Sequence, residues 1–445
     1  MTTLIRDVRA PLVMSLHDGD RGMVDLLGGK GANLAEMTRL GLPVPHGFVI
    51  TTEACRSYLV HGREPADLQG LVLEQLRVLE AEAGRDFGAL HDPLLVSVRS
   101  GARFSMPGMM ETILNVGLTD ATLPGLVSRG GERFAWDCYR RLTQMYGRTV
   151  LGVDATLFEE ALARARDGHG VTDDSGLDAA TLRTLTAEFR RILVDQTGED
   201  LPQEPQEQLV RSIRSVFESW NGERARVYRA HEGISDDLGT AVNVIEMVYG
   251  NTGPGSGSGV CFTRNPATGA PGAYGDYLPN AQGEDVVNGS RVTLSLDDLA
   301  REQPAVHVEL RQHLETLERH YTDVCDVEFT VEDSHLWILQ TRVGKRSPGA
   351  AFRIAVDLAD LGDIDMDEAL VRVDGVQLQS LLHPQFAPGG ASDVVATGLA
   401  ASPGAAVGEL VFSSGAAVVA AAQGRKVVLA RPETSPDDLS GMLVA

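Results

Sequence analysis

Along the first hundred residues the apolar positions change spacing repeatedly, as they do where helices and strands are taken in turn. A glycine-rich stretch, Gly28-Gly29-Lys30-Gly31, precedes a helix predicted over Ala32 to Leu40, and Gly47 to Thr51 reads as a short strand bounded by proline. Residues 62–86 keep helical spacing. Leu94 to Val98 then forms an apolar strand that delivers Arg99-Ser100-Gly101 to a loop.

The middle of the chain is predicted to be mainly helical. Leu182, Leu185, Phe189 and Ile192 recur at helical spacing behind an N-cap at Asp178, and Leu209, Ile213, Val216, Phe217 and Trp220 repeat the pattern behind Pro205. Such stripes bury one face of a helix and are read as core, with no catalytic role. From Ala241 the period turns extended: strands are expected over Ala241 to Tyr249 and Val260 to Thr263, separated by a flexible glycine-rich turn, Gly253 to Gly259. Two β-rich runs, Val324 to Val331 and Leu336 to Arg342, flank Glu332-Asp333-Ser334-His335 and read as a hairpin with a longer turn. Residues 345–395, with Pro384, Pro388, Gly389 and Gly390, read as a connector, and a last segment starts near Ala396.

Composition narrows the function. A chain of 445 residues suggests roughly two to four folding units, and 43% hydrophobic residues without a polar low-complexity tract describe an ordinary globular protein. The formal charge of −23 disfavours general binding to nucleic acid or to an anionic membrane, so any phosphate site must be a local pocket of cations. Cys55, Cys138, Cys261 and Cys325 are scattered without a C-x-x-C pair, which argues against a disulfide scaffold or a zinc site. Met1 to Leu16 carries no basic segment followed by an apolar core, and no apolar run approaches the ~20 residues of a membrane span, so the expected compartment is the cytoplasm.

Candidate chemistry lies in a few places. In Asp326-Val327-Glu328-Phe329 the two carboxylates alternate, so a strand would set them on one side about 7 Å apart with Val327 and Phe329 facing the core. That pair suits a hard cation such as Mg²⁺, which takes one or two carboxylates plus nucleotide phosphates. Gln340 and Arg342 alternate on the returning strand and could add a ligand and a phosphate contact. The competing reading is a half-exposed hairpin with a wet acidic face. Lys30 among glycines can approach an anion closely, or can be a solvated lysine at a strand-to-helix turn. The stretch is not a Walker A loop, since Val24 and Gly31 stand where Gly and Ser or Thr would be needed. Arg99 at a strand end suits bidentate phosphate contact or a structural ion pair, and Ser105 to Met110 has the small residues of a lid.

These pieces occur together in a longer pattern. Leu26-Leu27-Gly28-Gly29-Lys30-Gly31-Ala32-Asn33-Leu34-Ala35-Glu36-Met37 resembles the opening signature of the pyruvate phosphate dikinases. The resemblance continues through Val96 to Gly101, Ser105 to Met110, Phe262-Thr263-Arg264-Asn265-Pro266, Asn280 to Asp285, Asp326 to Phe329 and Leu339 to Arg342. Ala401 to Ala406 and Glu433-Thr434-Ser435-Pro436 resemble the start of the family's phosphohistidine domain, so nearly the whole chain is covered.

The resemblance implies an α/β (α+β) fold: an ATP-grasp nucleotide-binding domain with a helical insertion, then a linker and an incomplete swivelling phosphohistidine-type domain. The corresponding boundaries are 1–118 and 201–345 for the two parts of the ATP-grasp domain, 119–200 for the insertion, 346–395 for the linker and 396–445 for the last domain. It implies ATP and Mg²⁺ as cofactors, with Lys30 and Arg99 as catalytic phosphate contacts and a lid carrying Gly101, Ser105 and Gly108. Glu284, Asp326, Glu328, Gln340 and Arg342 complete the implied nucleotide site, with Asp326, Glu328 and Gln340 on the metal. Phe104, Ile245 and Asp276 depart from the family pattern at a lid position, near the adenine and at an expected Glu.

In the family, the β,γ-diphosphate of ATP passes to a histidine, AMP leaves, the γ-phosphate goes to inorganic phosphate and the remaining phosphoryl group to pyruvate. Here Gly441-Met442-Leu443-Val444-Ala445 comes before the expected Gly-Gly-Met-Thr-Ser-His motif, and His383 reads as a structural linker residue. The expected function is therefore the ATP half-reaction, with a second polypeptide carrying the phosphohistidine and pyruvate/phosphoenolpyruvate domains, inorganic phosphate as co-substrate, and a homodimer among the expected assemblies. A stand-alone phosphotransferase for a small acceptor and a non-catalytic ATP-binding regulatory module are the alternatives.

Overall fold

The short apolar runs of the N-terminal part meet in one five-stranded sheet. In the computed structural model, which describes residues 10–106, 108–287, 293–373, 375, 405–431 and 438–445, its strands are β1 (Val13–Ser15), β2 (Gly47–Ile50), β3 (Val96–Gly101), β4 (Thr112–Val116) and β5 (Ala241–Glu246), in the order β1-β2-β5-β3-β4. All its pairs are antiparallel. β5 comes from far along the chain yet takes the middle position, and every one of its residues is buried, as a strand covered on both faces must be. Arg99, Ser100 and Gly101 do not sit in a loop as expected: they continue β3 because each pairs across to β5, at Asn243, Val242 and Ala241.

Helices α1 (Val24–Arg39), α2 (Thr52–His61) and α3 (Leu68–Ala83) occupy the connections between β1 and β3. The long stretch between β4 and β5 holds α4 (Leu123–Thr149), α5 (Ala155–His169), α6 (Ala179–Thr197), α7 (Pro205–Ser219) and α8 (Glu223–Glu232). The expected stripes are the core of this region: Leu182, Leu185, Phe189, Leu209, Ile213, Val216, Phe217 and Trp220 are buried, and Ile192 packs against them half-buried. Each fully buried side chain of this size stabilises by about 1.5–3 kcal/mol. Asp178 caps α6 by accepting from the Thr181 N–H, and Pro205 opens α7, where its missing N–H costs nothing.

A second five-stranded sheet has the order β10-β9-β6-β7-β8, from β6 (Gly257–Arg264), β7 (Pro271–Pro279), β8 (Leu294–Ser295), β9 (Cys325–Glu332) and β10 (His335–Val343). Its glycines correct the expectation of a flexible turn over Gly253 to Gly259. Gly257 and Gly259 are strand residues, and a Cβ on either would stand 2.3 Å from Tyr277 Oη or 2.4 Å from Phe329 Cζ, so the aromatic rings occupy the missing side chains' space. The β9–β10 hairpin is tighter than expected. Its turn is two residues, Asp333 and Ser334, both with positive φ (49° and 66°), the geometry that matches strand twist.

By internal contacts the chain forms two units, Met1–Cys261 with Gly275–His313 and Val327–Arg342, and Phe262–Tyr274 with Leu314–Asp326 and Val343–Ala445. In the second unit the stretch read as a connector is partly helical: Pro348–Leu361, capped by Ser347, and Met366–Val371 bury Ala350, Ile354, Ala355, Leu358 and Ala369 with Val324. Further on, β11 (Glu409–Val411) and β12 (Val427–Leu429) pair in parallel around the helix Ser414–Ala422, with Val411, Ala417, Ala420 and Val427 as their core. His383, Ala401 to Gly404 and Glu433 to Pro436 lie outside the described residues. No helix among the described residues is long and apolar enough to cross a membrane.

Candidate nucleotide and metal site

The glycines before Lys30 bring two elements to backbone contact. α1 is two helical pieces meeting at Gly28, whose φ of 67° is left-handed, and a Cβ there would lie 1.6 Å from the Gly101 carbonyl oxygen. Gly29 N–H donates to the Ala102 carbonyl at 2.9 Å. Lys30 therefore sits in the first turn of the second piece, against the end of β3, rather than at a strand-to-helix turn. Asn33 Nδ2 donates to the Thr341 carbonyl at 3.0 Å and seats the same helix on β10.

Lys30, Arg99, Glu328, Gln340 and Arg342 come together around this point. Glu328 Oε1 accepts from Gln340 Nε2 at 3.1 Å, and Arg99 Nη2 stands 3.6 Å from Glu328 Oε2. Burial, then the Arg99 and Arg342 guanidinium groups, push the half-buried Lys30 ammonium down to about 7 against the opposing pull of Glu328. Burial and two neighbouring guanidinium groups disfavour the Lys30 charge, an electrostatic cost that a bound polyphosphate would offset.

Asp326 precedes Glu328 on β9 and is buried, as are Val327 and Phe329. β9 is covered along nearly its whole length with Glu328 half-buried, whereas β10 alternates buried and more exposed positions, so the hairpin is half-exposed along β10 while Asp326 does not belong to a wet acidic face. No group of three or more His, Cys, Asp or Glu residues suited to a metal occurs among the described residues. A pair of carboxylates completed by phosphate oxygens fits Mg²⁺ without such a group.

Glu284 belongs to a neighbouring charge cluster. Arg141 of α4 lies 3.9 Å from Glu284 and 2.9 Å from Asp285, and Asp137 Oδ2 accepts from Arg141 Nε at 3.1 Å. Burial pushes the Glu284 carboxyl up, while Arg141, Arg148 and Arg99 draw it down. Neither Arg141 nor Asp137 is legible in the sequence, since a half-buried Arg on a long helix carries no local signal of its distant carboxylates. Gly101, the last residue of β3, is buried under α1, whereas Ser105 and Gly108 on the segment that follows are exposed. Met106 and Met109 anchor that segment in the interior, Arg103 pairs with Asp25 at 2.6 Å, and Phe104 is exposed.

The chain has relatives among known proteins. The family described as pyruvate phosphate dikinase, AMP/ATP-binding domain, matches residues 24–81, 60–304 and 292–358. The chain belongs to this family. It is 48% identical over 431 residues to the chloroplastic pyruvate, phosphate dikinase of Mesembryanthemum crystallinum, covering 96% of this chain and 45% of that protein. Pyruvate, phosphate dikinases of Clostridium symbiosum (46%, over 98% and 50%) and Rhizobium meliloti (49%, over 95% and 48%) are similar to it to the same degree. The chain thus spans about half the length of the curated relatives it matches. Its fold is of the ATP-grasp type, and ATP binding follows from the family.

Proposed function

We propose that this chain holds MgATP in the pocket between α1, β3 and the β9–β10 hairpin and carries out the ATP half-reaction of a dikinase. The observation that supports this most is the meeting of Arg99, Arg342 and Glu328 around Lys30, with Arg99 3.6 Å from Glu328. Lys30 and Arg99 take the phosphates, Arg342 adds a third positive charge, and Gly101, Ser105 and Gly108 belong to the segment that closes over them. Asp326, Glu328 and Gln340 hold Mg²⁺, and Glu284 lines the same site. Bound magnesium supplies a divalent charge beside the phosphate oxygens. Phosphoryl transfer asks mainly for positioning and charge neutralisation, which fixed cations supply in advance.

In this reading residues 1–118 and 201–345 form the nucleotide domain, 119–200 its helical insertion, 346–395 the linker and 396–445 part of a phosphohistidine-type domain. The β,γ-diphosphate of ATP passes to a histidine nitrogen of the phosphohistidine domain as the bond to the AMP phosphate breaks, and AMP leaves. Inorganic phosphate accepts the γ-phosphate, and the remaining phosphoryl group goes on to pyruvate. Four buried free cysteines fit a reducing compartment such as the cytoplasm. The test mixes this chain with MgATP, phosphate and the remaining half of a relative's dikinase: AMP should form and require both polypeptides. MgATP binding without AMP under those conditions would overturn the half-reaction and favour a binding module, whereas a phosphorylated small molecule made by this chain alone would favour a stand-alone phosphotransferase.

A further inference from the structure

Asn243 stands opposite Arg99 on one side of β5 and opposite Val49 on the other. Directly opposed residues of antiparallel strands send their side chains to the same face. Here that face is the one α1 crosses, since a Cβ on Gly31 would lie 3.0 Å from Asn243 Oδ1 and 3.1 Å from Val49 Cγ2. A Cβ on Gly101 would lie 2.5 Å from Asn243 Nδ2. The amide therefore fills space vacated by two glycines, one next to Lys30 and one two residues beyond Arg99.

A wholly buried amide on a central strand costs stability unless both of its ends are hydrogen-bonded. One end is: Nδ2 donates to the Arg99 carbonyl at 3.2 Å. Asn243 Oδ1 is buried with no hydrogen-bond partner among the described residues, and the same is true of Arg99 Nε. An acceptor and a donor, both shielded from water, thus belong to facing residues of one strand pair, while the Arg99 guanidinium leans towards Glu328.

We infer that Asn243 is the positioning residue for Arg99. When Glu328 is engaged by Mg²⁺, Arg99 turns so that Nε–H donates to Asn243 Oδ1, leaving both terminal nitrogens for phosphate oxygens. This rests on the phosphate role proposed for Arg99 above. A purely structural amide would act on fold stability and on all ligands alike, whereas a positioning amide acts on the phosphates.

The test titrates the parent chain, Asn243→Leu and Asn243→Asp with MgATP and with adenosine, and records their melting temperatures. Leucine keeps the volume and removes both polar ends; aspartate keeps the acceptor. Asn243→Leu should lose about tenfold or more in MgATP affinity with adenosine binding unchanged, and Asn243→Asp should stay within about threefold of the parent. If Asn243→Leu melts far below the parent, Asn243→Thr, whose hydroxyl is too short to replace Oδ1, is measured under the same criteria. Equal losses for MgATP and adenosine, or no loss at all, overturn the positioning role alone. A parent chain that binds adenosine but not MgATP overturns the phosphate site itself, and the role of Asn243 with it.

Discussion

Arg99 Nη2 lies 3.6 Å from Glu328 Oε2, so the strongest candidate phosphate contact and the strongest candidate metal ligand face each other directly. Removing the carboxylate's charge frees Arg99 and deprives the metal of a ligand. Glu328→Gln should therefore lower the gain in ATP affinity that Mg²⁺ gives by about tenfold or more, while metal-free ATP binds at least as tightly as to the parent. Titrations with and without Mg²⁺ check both halves, and an unchanged magnesium dependence would remove Glu328 from the metal site.

Gly28 tests the backbone crossing that places Lys30. Gly28 and Gly41 both have left-handed φ (67° and 74°), but only Gly28 has a neighbour in the way, the Gly101 carbonyl oxygen 1.6 Å from the position of a Cβ. Gly41→Ala should cost about 1 kcal/mol from backbone strain alone. Gly28→Ala should cost more than that, about 3 kcal/mol or above, because the helix must also move off β3. Urea denaturation of the two variants compares them, and equal losses would contradict the contact.

Asp137 is buried beside two cations, with Arg140 Nη2 2.8 Å away and Arg141 Nε 3.1 Å away. Burial opposes its ionisation, yet Arg141 and Arg140 hold the carboxyl well below its ordinary range. A folded-state value below the unfolded one means stability present above the unfolded carboxylate's titration and lost as pH falls towards the folded value. Asp137→Asn should destabilise by about 1–3 kcal/mol at neutral pH, because the buried Arg140 and the half-buried Arg141 each lose one of their carboxylate partners. Denaturation of parent and variant should converge on acidification.

His46 offers the opposite sign. Its Nδ1–H donates at 2.9 Å to the buried Glu246 carboxylate, which also pairs with Arg85, and this hydrogen bond raises the imidazole above its ordinary 6.5. The stabilisation is complete below 6.5 and lost as pH rises through the higher folded value. The stability difference between the parent and His46→Gln should be largest near pH 5.5 and shrink by pH 8. A difference that grows with pH would contradict the assignment.

The parts of this fold that follow from short-range physics were legible. Helical stripes such as Leu182, Leu185 and Phe189 and the Asp178 cap depend on residues within one or two turns, and the structure keeps them. The central place of β5 was not legible, because its register is set by partners as distant as Val49 and Arg99. Gly257 and Gly259 suggested flexibility when read alone; only the Tyr277 and Phe329 rings reveal why they are strand residues. At the site, Lys30, Arg99, Glu328, Gln340 and Arg342 could be named beforehand because each lies in a distinctive local run. Arg141 could not, since its carboxylates at Glu284 and Asp285 lie over 140 positions away and nothing beside it marks them.

The most direct measurement is a calorimetric titration of this chain and its Lys30→Ala variant with MgATP. Mg²⁺-dependent binding to the parent is expected, one nucleotide per chain, with a loss of about tenfold or more in the variant from removal of one charge-assisted phosphate contact. No MgATP binding to a folded parent, or binding that Lys30→Ala leaves unchanged, would rule out the phosphate site at Lys30.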